Sequence, residues 1–206
     1  MQTTTRTILT GLACLVTARA SWAEPKKAKS SQKVERGRYL VTLGGCNDCH
    51  TPWVFNKELG MPVPDMSRML SGHPEGAPDP GGTVAPTDIG AIGPTFTSFK
   101  LPFGVVYSPN LTPDKLTGMG SWTEEMFVRA MRTGKHLGGQ GRAILPPMPW
   151  MNLAGLTDGD LKAVFAFLRS VPPIHNGVPA PKVPEPVINQ ITASFVKLGE
   201  MMKHAQ

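Results

Sequence analysis

Apolar residues recur at helical spacing in separate blocks of this 206-residue chain, and the period is lost between them. From Val34 to Leu43, Tyr39, Leu40 and Leu43 fall on one side with Arg36 and Arg38 opposite, which predicts a short amphipathic helix ending at Gly44-Gly45. Ser121, followed by Glu124, reads as a capping box, and Met126, Phe127, Ala130 and Met131 carry the apolar face of a second helix up to Gly134. Thr157 or Asp158 caps a third, from Leu161 to Ser170, in which Leu161, Val164, Phe165 and Leu168 repeat before Pro172-Pro173 stop it. A last pattern follows a spacer stiffened by Pro179, Pro181, Pro184 and Pro186: Ile188, Ile191, Phe195 and Leu198 recur as far as Met201 and Met202. An amphipathic helix of that length is marginal alone in water, so it is expected to dock, first on the rest of this chain, otherwise on a partner or a membrane surface.

The stretch from Trp53 to Val106 has no sustained period. Gly60-Met61-Pro62-Val63-Pro64 and Pro78-Asp79-Pro80-Gly81-Gly82 are turn clusters, so it reads as a long loop excursion. At the other end, Met1 to Ala23 runs from Arg6 through the apolar Ile8 to Val16 to small residues at Ser21-Trp22-Ala23, the form of a secretory signal peptide cleaved near Ala23. Its apolar core is far short of the roughly 20 residues that span a bilayer, so no transmembrane segment is expected in the mature chain.

Composition agrees with a small domain rich in loops: 21 prolines and 22 glycines point to a compact all-helical core with long excursions. The formal charge of +6 is spread along the chain and forms no basic stripe with aromatic neighbours, which argues against nucleic-acid binding. The run Lys26-Lys27-Ala28-Lys29 reads as a solvated, disordered arm.

The candidate chemistry is concentrated at Cys46-Asn47-Asp48-Cys49-His50. C-x-x-C-H is the spacing at which two thiols become thioethers on the haem vinyl groups, with the adjacent imidazole under the iron. Cys14 lies in the leader, so the mature chain keeps Cys46 and Cys49, which in an exported protein are either oxidised or committed to a cofactor. A thioredoxin-like pair lacks its βαβ context, and a zinc site lacks ligands, since His73, His136, His175 and His204 are scattered singly. One motif implies one covalently bound haem c, iron included. Met148, set in Leu145-Pro146-Pro147-Met148-Pro149-Trp150, is held on a stiff backbone suited to fixing a thioether toward a metal. Met119, Met126, Met131 and Met151 are its rivals as sixth ligand.

Further segments recur in a known order. Arg36-Gly37-Arg38-Tyr39-Leu40, the haem motif with Thr51, Ser108-Pro109-Asn110-Leu111-Thr112-Pro113-Asp114, Ser121-Trp122-Thr123-Glu124-Glu125, Pro147-Met148-Pro149 and Leu161 to Leu168 together resemble class I c-type cytochromes. More closely, the chain looks like the haem domains of cytochrome subunits of bacterial periplasmic alcohol and gluconate dehydrogenases. The resemblance implies an all-α class I fold with long Pro/Gly-rich loops and a C-terminal amphipathic helix, in which the N-terminal helix crosses the helix ending near Leu168. It implies His50 as proximal ligand, Met148 as distal ligand, a periplasmic location and electron transfer. In class I proteins a proline carbonyl commonly orients the proximal imidazole, and Pro62 lies at the family's spacing. Tyr107, Asn110, Arg142 and Trp150 are candidates for holding propionates or the methionine loop. The chain departs from those subunits in having one haem motif where they have several, and in the length of its excursion.

The expected organisation is a signal peptide at 1–23, a flexible arm at 24–33, a haem domain at 34–174 with a loop insertion at 54–106, and a Pro-rich linker with a helix at 175–206. The expected function is outer-sphere transfer of single electrons between a redox protein donor and acceptor, with a dehydrogenase or a terminal oxidase as candidate partners. Two protein ligands leave the iron no open position, so an enzyme is not expected. The alternatives are a dedicated cytochrome subunit of a periplasmic dehydrogenase complex and, with Met148 unbound, an open-site peroxidase or gas sensor using His73 as the distal group.

Overall fold

The computed structural model describes residues 26–203; the expected leader lies outside them. Helix α1 (Lys26–Leu43) is followed at once by α2 (Cys46–His50), and α3 (Glu124–Thr133), the short α4 (His136–Gly139), α5 (Trp150–Ala154), α6 (Asp158–Leu168) and α7 (Glu185–Lys203) complete the helices. Between α2 and α3 lie five strands, β1 (Trp53–Asn56), β2 (Met61–Pro64), β3 (Ala91–Ile92), β4 (Ser98–Leu101) and β5 (Gly104–Tyr107).

Those strands overturn the all-α expectation. The fold is mixed, 38% helical with two small antiparallel sheets. The first is the β1–β2 hairpin, with Trp53 opposite Pro64 and Asn56 opposite Met61. The second has the order β3-β4-β5, with Ser98 opposite Tyr107 and Leu101 opposite Gly104. The physical reason is local. Phe99, Val105, Val106 and Tyr107 are β-branched or aromatic residues on either side of a tight Pro102-Phe103 turn, and Val105, Val106 and Tyr107 of β5 are buried. Along its outer edge the chain returns at Lys182, which exchanges backbone hydrogen bonds with Val105 at 3.2 and 2.8 Å.

The main core is the crossing of α1 over α6, with α3 alongside. At the crossing Gly37 lies so close to α6 that a Cβ there would stand 1.9 Å from the Ala163 carbonyl oxygen. Leu40 and Val41 of α1, Phe127 and Ala130 of α3, and Leu161, Val164, Phe165 and Leu168 of α6 are buried together. The Phe127 and Phe165 rings lie 5.5 Å apart. Arg36 donates to Asp160 at 2.8 Å, tying the two crossing helices at their edge. The helix cap before α3 is Thr123, whose hydroxyl accepts from the Met126 amide at 3.1 Å, while Ser121 stays in the preceding turn. Thr157 caps α6 in the same way, through the Asp160 amide. Among the described residues, no helix is long and apolar enough to cross a membrane.

The tail is docked. Ile188 of α7 is buried against Val106 and Leu145, and Phe195 meets the Trp150 ring edge-on, with centroids 5.7 Å apart.

Candidate haem site

Two glycines build the attachment segment. The Gly44 amide closes α1 onto the Leu40 carbonyl, and Gly45, in the left-handed region at φ 62°, turns the chain into α2. A side chain at Gly45 would be strained and would press on the Asp48 carboxylate. On the one and a half turns of α2, residues three and four apart share a face, so Cys46, Cys49 and His50 are presented together. Both thiols are free and half buried. Burial pushes the Cys46 thiol up to about 11 and raises Cys49 as well, so both are protonated at neutral pH.

His50 is 5% exposed, and its Nδ1 lies 3.0 Å from the Pro109 carbonyl oxygen. A carbonyl can only accept, so Nδ1 carries the hydrogen and the lone pair sits on Nε2. Burial lowers the imidazole's pKa, keeping it neutral and able to ligate a metal. Among the described residues Nε2 makes no hydrogen bond, and this is the donor arrangement of a metal-ligating histidine with its outer-shell acceptor in place. Pro62 does not fill that role: it lies on exposed β2, paired with Phe55, because the chain between them folds back as a hairpin.

The Pro109 carbonyl is itself fixed by a network that the sequence did not announce. Ser108 donates its amide to Thr97 and accepts from His73, and Leu111 donates to the Leu70 carbonyl, each at 2.9 Å. The Asn110 side chain accepts from the Thr112 amide at 3.0 Å and donates to the Ile174 carbonyl at 2.8 Å. Buried Asn176 ties in the excursion, donating to the Ser71 and His73 carbonyls at 2.7 and 2.8 Å. Gly72, at φ 76°, donates its amide to the His50 carbonyl and leaves no room for a Cβ against Ser108. The excursion thus backs His50. The available signal was the Asx-type sequence Asn110-Leu111-Thr112; a backbone carbonyl has no signature of its own.

His73 is fully buried, with Nδ1 3.0 Å from the Thr97 hydroxyl, Nε2 3.4 Å from the Ala77 carbonyl, and its ring against Tyr107. Both nitrogens are engaged by the protein, so it is not available as a distal group in this arrangement. Tyr107 is committed to Asp79 at 2.5 Å and Asn110 to its turn. Arg142 donates one nitrogen to the Ala143 carbonyl at 2.9 Å and makes no other side-chain hydrogen bond among the described residues. Trp150 is buried with its Nε1 unpartnered among the described residues. A buried N–H without an acceptor is costly, and a polar edge of a bound group beside it would supply one.

Met148 is half buried and packs on the same hydrophobic core as Cys46. Its amide faces the Leu145 carbonyl at 3.4 Å and its carbonyl accepts from Trp150 at 2.9 Å, so the segment is a compact turn entering α5. Met119 and Met131 are buried in the core, whereas Met126 and Met151 are half buried on helices. Cys46, Cys49 and His50 are brought together on one helix face, and Met148 packs against the same core cluster as Cys46. His136 is neutral at neutral pH as well: burial, with Arg142 nearby, pushes it down to about 4. The neutral buried imidazole, the paired thiols and the unpartnered indole fit a haem.

No family model matches the chain. It is 30% identical over 182 residues to a nicotinate dehydrogenase subunit of Pseudomonas putida, a match that covers 86% of this chain and 12% of that protein. It is 30% identical over 155 residues to the gluconate 2-dehydrogenase cytochrome c subunit of Pantoea cypripedii, covering 75% of this chain and 27% of the relative. The fructose dehydrogenase cytochrome subunit of Gluconobacter japonicus is 30% identical over 179 residues, 86% of this chain and 29% of its own length. The chain therefore spans less than a third of each of these relatives. By its attachment motif and by these relatives, the chain is a c-type cytochrome that resembles the haem domains of bacterial dehydrogenase cytochrome subunits.

Proposed function

We propose that the chain carries single electrons through one haem c, which Cys46 and Cys49 would attach and His50 and Met148 would ligate, as the cytochrome component that accepts electrons from a dehydrogenase. The observation that carries this reading is the His50 imidazole, buried, neutral and fixed by the Pro109 carbonyl so that Nε2 is left to coordinate. Haem bound there would supply a one-electron couple, and a methionine ligand together with histidine would raise its potential above that of two nitrogen ligands. The protein's part is to orient the imidazole through Pro109, to exclude water with the α1, α3 and α6 core, and to offer the Trp150 and Arg142 donors to the haem's carboxylates. Export through the Met1–Ala23 leader places attachment and electron transfer in the periplasm.

The dehydrogenase partner is favoured over a freely diffusing carrier by the relatives, three of which are named as subunits of dehydrogenases. An open-site peroxidase or sensor loses its distal candidate, since both His73 nitrogens are engaged. Affinity purification of the tagged chain from its own periplasm is the test. A larger redox enzyme that copurifies and reduces the haem on addition of its substrate is the expected result; a chain that purifies alone and that no periplasmic fraction reduces would oppose the subunit reading.

A further inference from the structure

The C-terminal helix reaches both ends of the segment that carries Met148. At one end, Leu145 is 7% exposed and packs against Ile188 and Val106. At the other, Trp150 is 4% exposed, lies over Gly134 at the end of α3, and takes the edge of Phe195 at 5.7 Å. Met148 sits between these two anchors. The start of α7 is fixed independently, by the Lys182–Val105 backbone pairing and by Pro184, whose carbonyl accepts from the Val187 and Ile188 amides at 2.9 and 3.1 Å. Between the anchors the contact is loose: a groove of 330 Å³ opens between Phe103, Pro146 and the α7 residues Val187, Ile191 and Phe195. Pro146 therefore borders open space, and the loop has somewhere to go if either anchor is lost.

We propose that α7 is a brace for the methionine loop, with Ile188 and Phe195 as positioning residues that hold Met148 toward the haem. This rests on Met148 being the sixth ligand. It gives the docked tail a role at the haem. A brace of this kind acts on how often the thioether leaves the iron, not on whether the haem is attached.

The test measures the rate at which imidazole replaces the sixth ligand in the oxidised, full-length holoprotein, since that exchange requires the methionine to leave first. Phe195→Ala and Ile188→Ala should each accelerate it roughly tenfold, the loss of about 1.4 kcal/mol of apolar and edge-on ring contact. Gly37→Ala, which strains the distant α1–α6 crossing, serves as the control for general loosening. If it accelerates exchange as much as Phe195→Ala at equal loss of thermal stability, or if Phe195→Ala leaves the rate unchanged, the brace is refuted. Phe195→Leu keeps most of the apolar volume and replaces the alanine variant if that one yields no holoprotein. Met148→Ala is run alongside: if it retains the methionine-dependent far-red band, the ligand assignment fails and the brace with it, whereas a lost band with an unaltered Phe195→Ala rate refutes the brace alone.

Discussion

Replacing Gly37 by alanine tests the helix crossing that carries the attachment motif. The new Cβ would stand 1.9 Å from the Ala163 carbonyl oxygen, 2.6 Å from its carbon and 2.8 Å from the Phe167 Cβ. Ordinary contact needs about 3.4 Å, so the helices must part by roughly 1.5 Å. The obstacle is helix backbone, which cannot rotate away as a side chain could. Overpacking of this kind costs about 1–3 kcal/mol, and the rigid partner puts the cost near the top of that range. Alanine returns about 1 kcal/mol through its better helix propensity. The net loss is about 2 kcal/mol, which for a chain of this size lowers the melting temperature by roughly 4–8 °C. Thermal unfolding of the holoprotein followed by far-UV circular dichroism measures it. Gly155→Ala is the opposite control: its Cβ would meet nothing nearer than the Asn152 carbonyl at 3.5 Å and its backbone is right-handed, so it should be neutral or stabilising by about 0.4–1 kcal/mol. A Gly37→Ala protein as stable as the parent would refute the close crossing.

Met148→Ala should keep its covalent haem yet open the iron to added imidazole, read from the spectrum of the oxidised protein; an unchanged low-spin spectrum would move the sixth ligand to another methionine. Lys182 and the Tyr107 hydroxyl both donate to Asp79, Lys182 having the larger effect, and hold its carboxyl below the usual carboxylate range. A carboxyl depressed in the folded state contributes its stability above the unfolded pKa and loses it as the pH falls through the folded value. Melting temperature should therefore fall more steeply in acid for the parent than for Asp79→Asn, by a small margin because the carboxylate is 35% exposed, and parallel acid limbs would remove Asp79 from the balance.

The parts legible in the sequence are those where a pattern repeats or a spacing is unique. The faces of α3 and α6 could be read because Phe127 with Ala130 and Leu161 with Val164, Phe165 and Leu168 recur at helical intervals over ten or eleven residues. The strands could not, because they are two to four residues long and β2 is half proline, which reads as a turn. Thr123 displaced Ser121 as the cap of α3 because the Trp122 amide still closes a turn onto Met119. The candidate site was legible as the spacing of Cys46, Cys49 and His50, whereas the support of His50 was hidden: Pro109 acts through a backbone carbonyl, and Asn110 and Asn176 act through contacts across more than sixty residues of chain.

Intact mass under denaturing conditions, on protein exported in a host that attaches haem c, reports directly on whether Cys46 and Cys49 hold the cofactor. A single species of the mature chain plus the mass of one haem is the expected result. A bare polypeptide, or one lighter by two hydrogens through a Cys46–Cys49 disulfide, would contradict the assignment of this site.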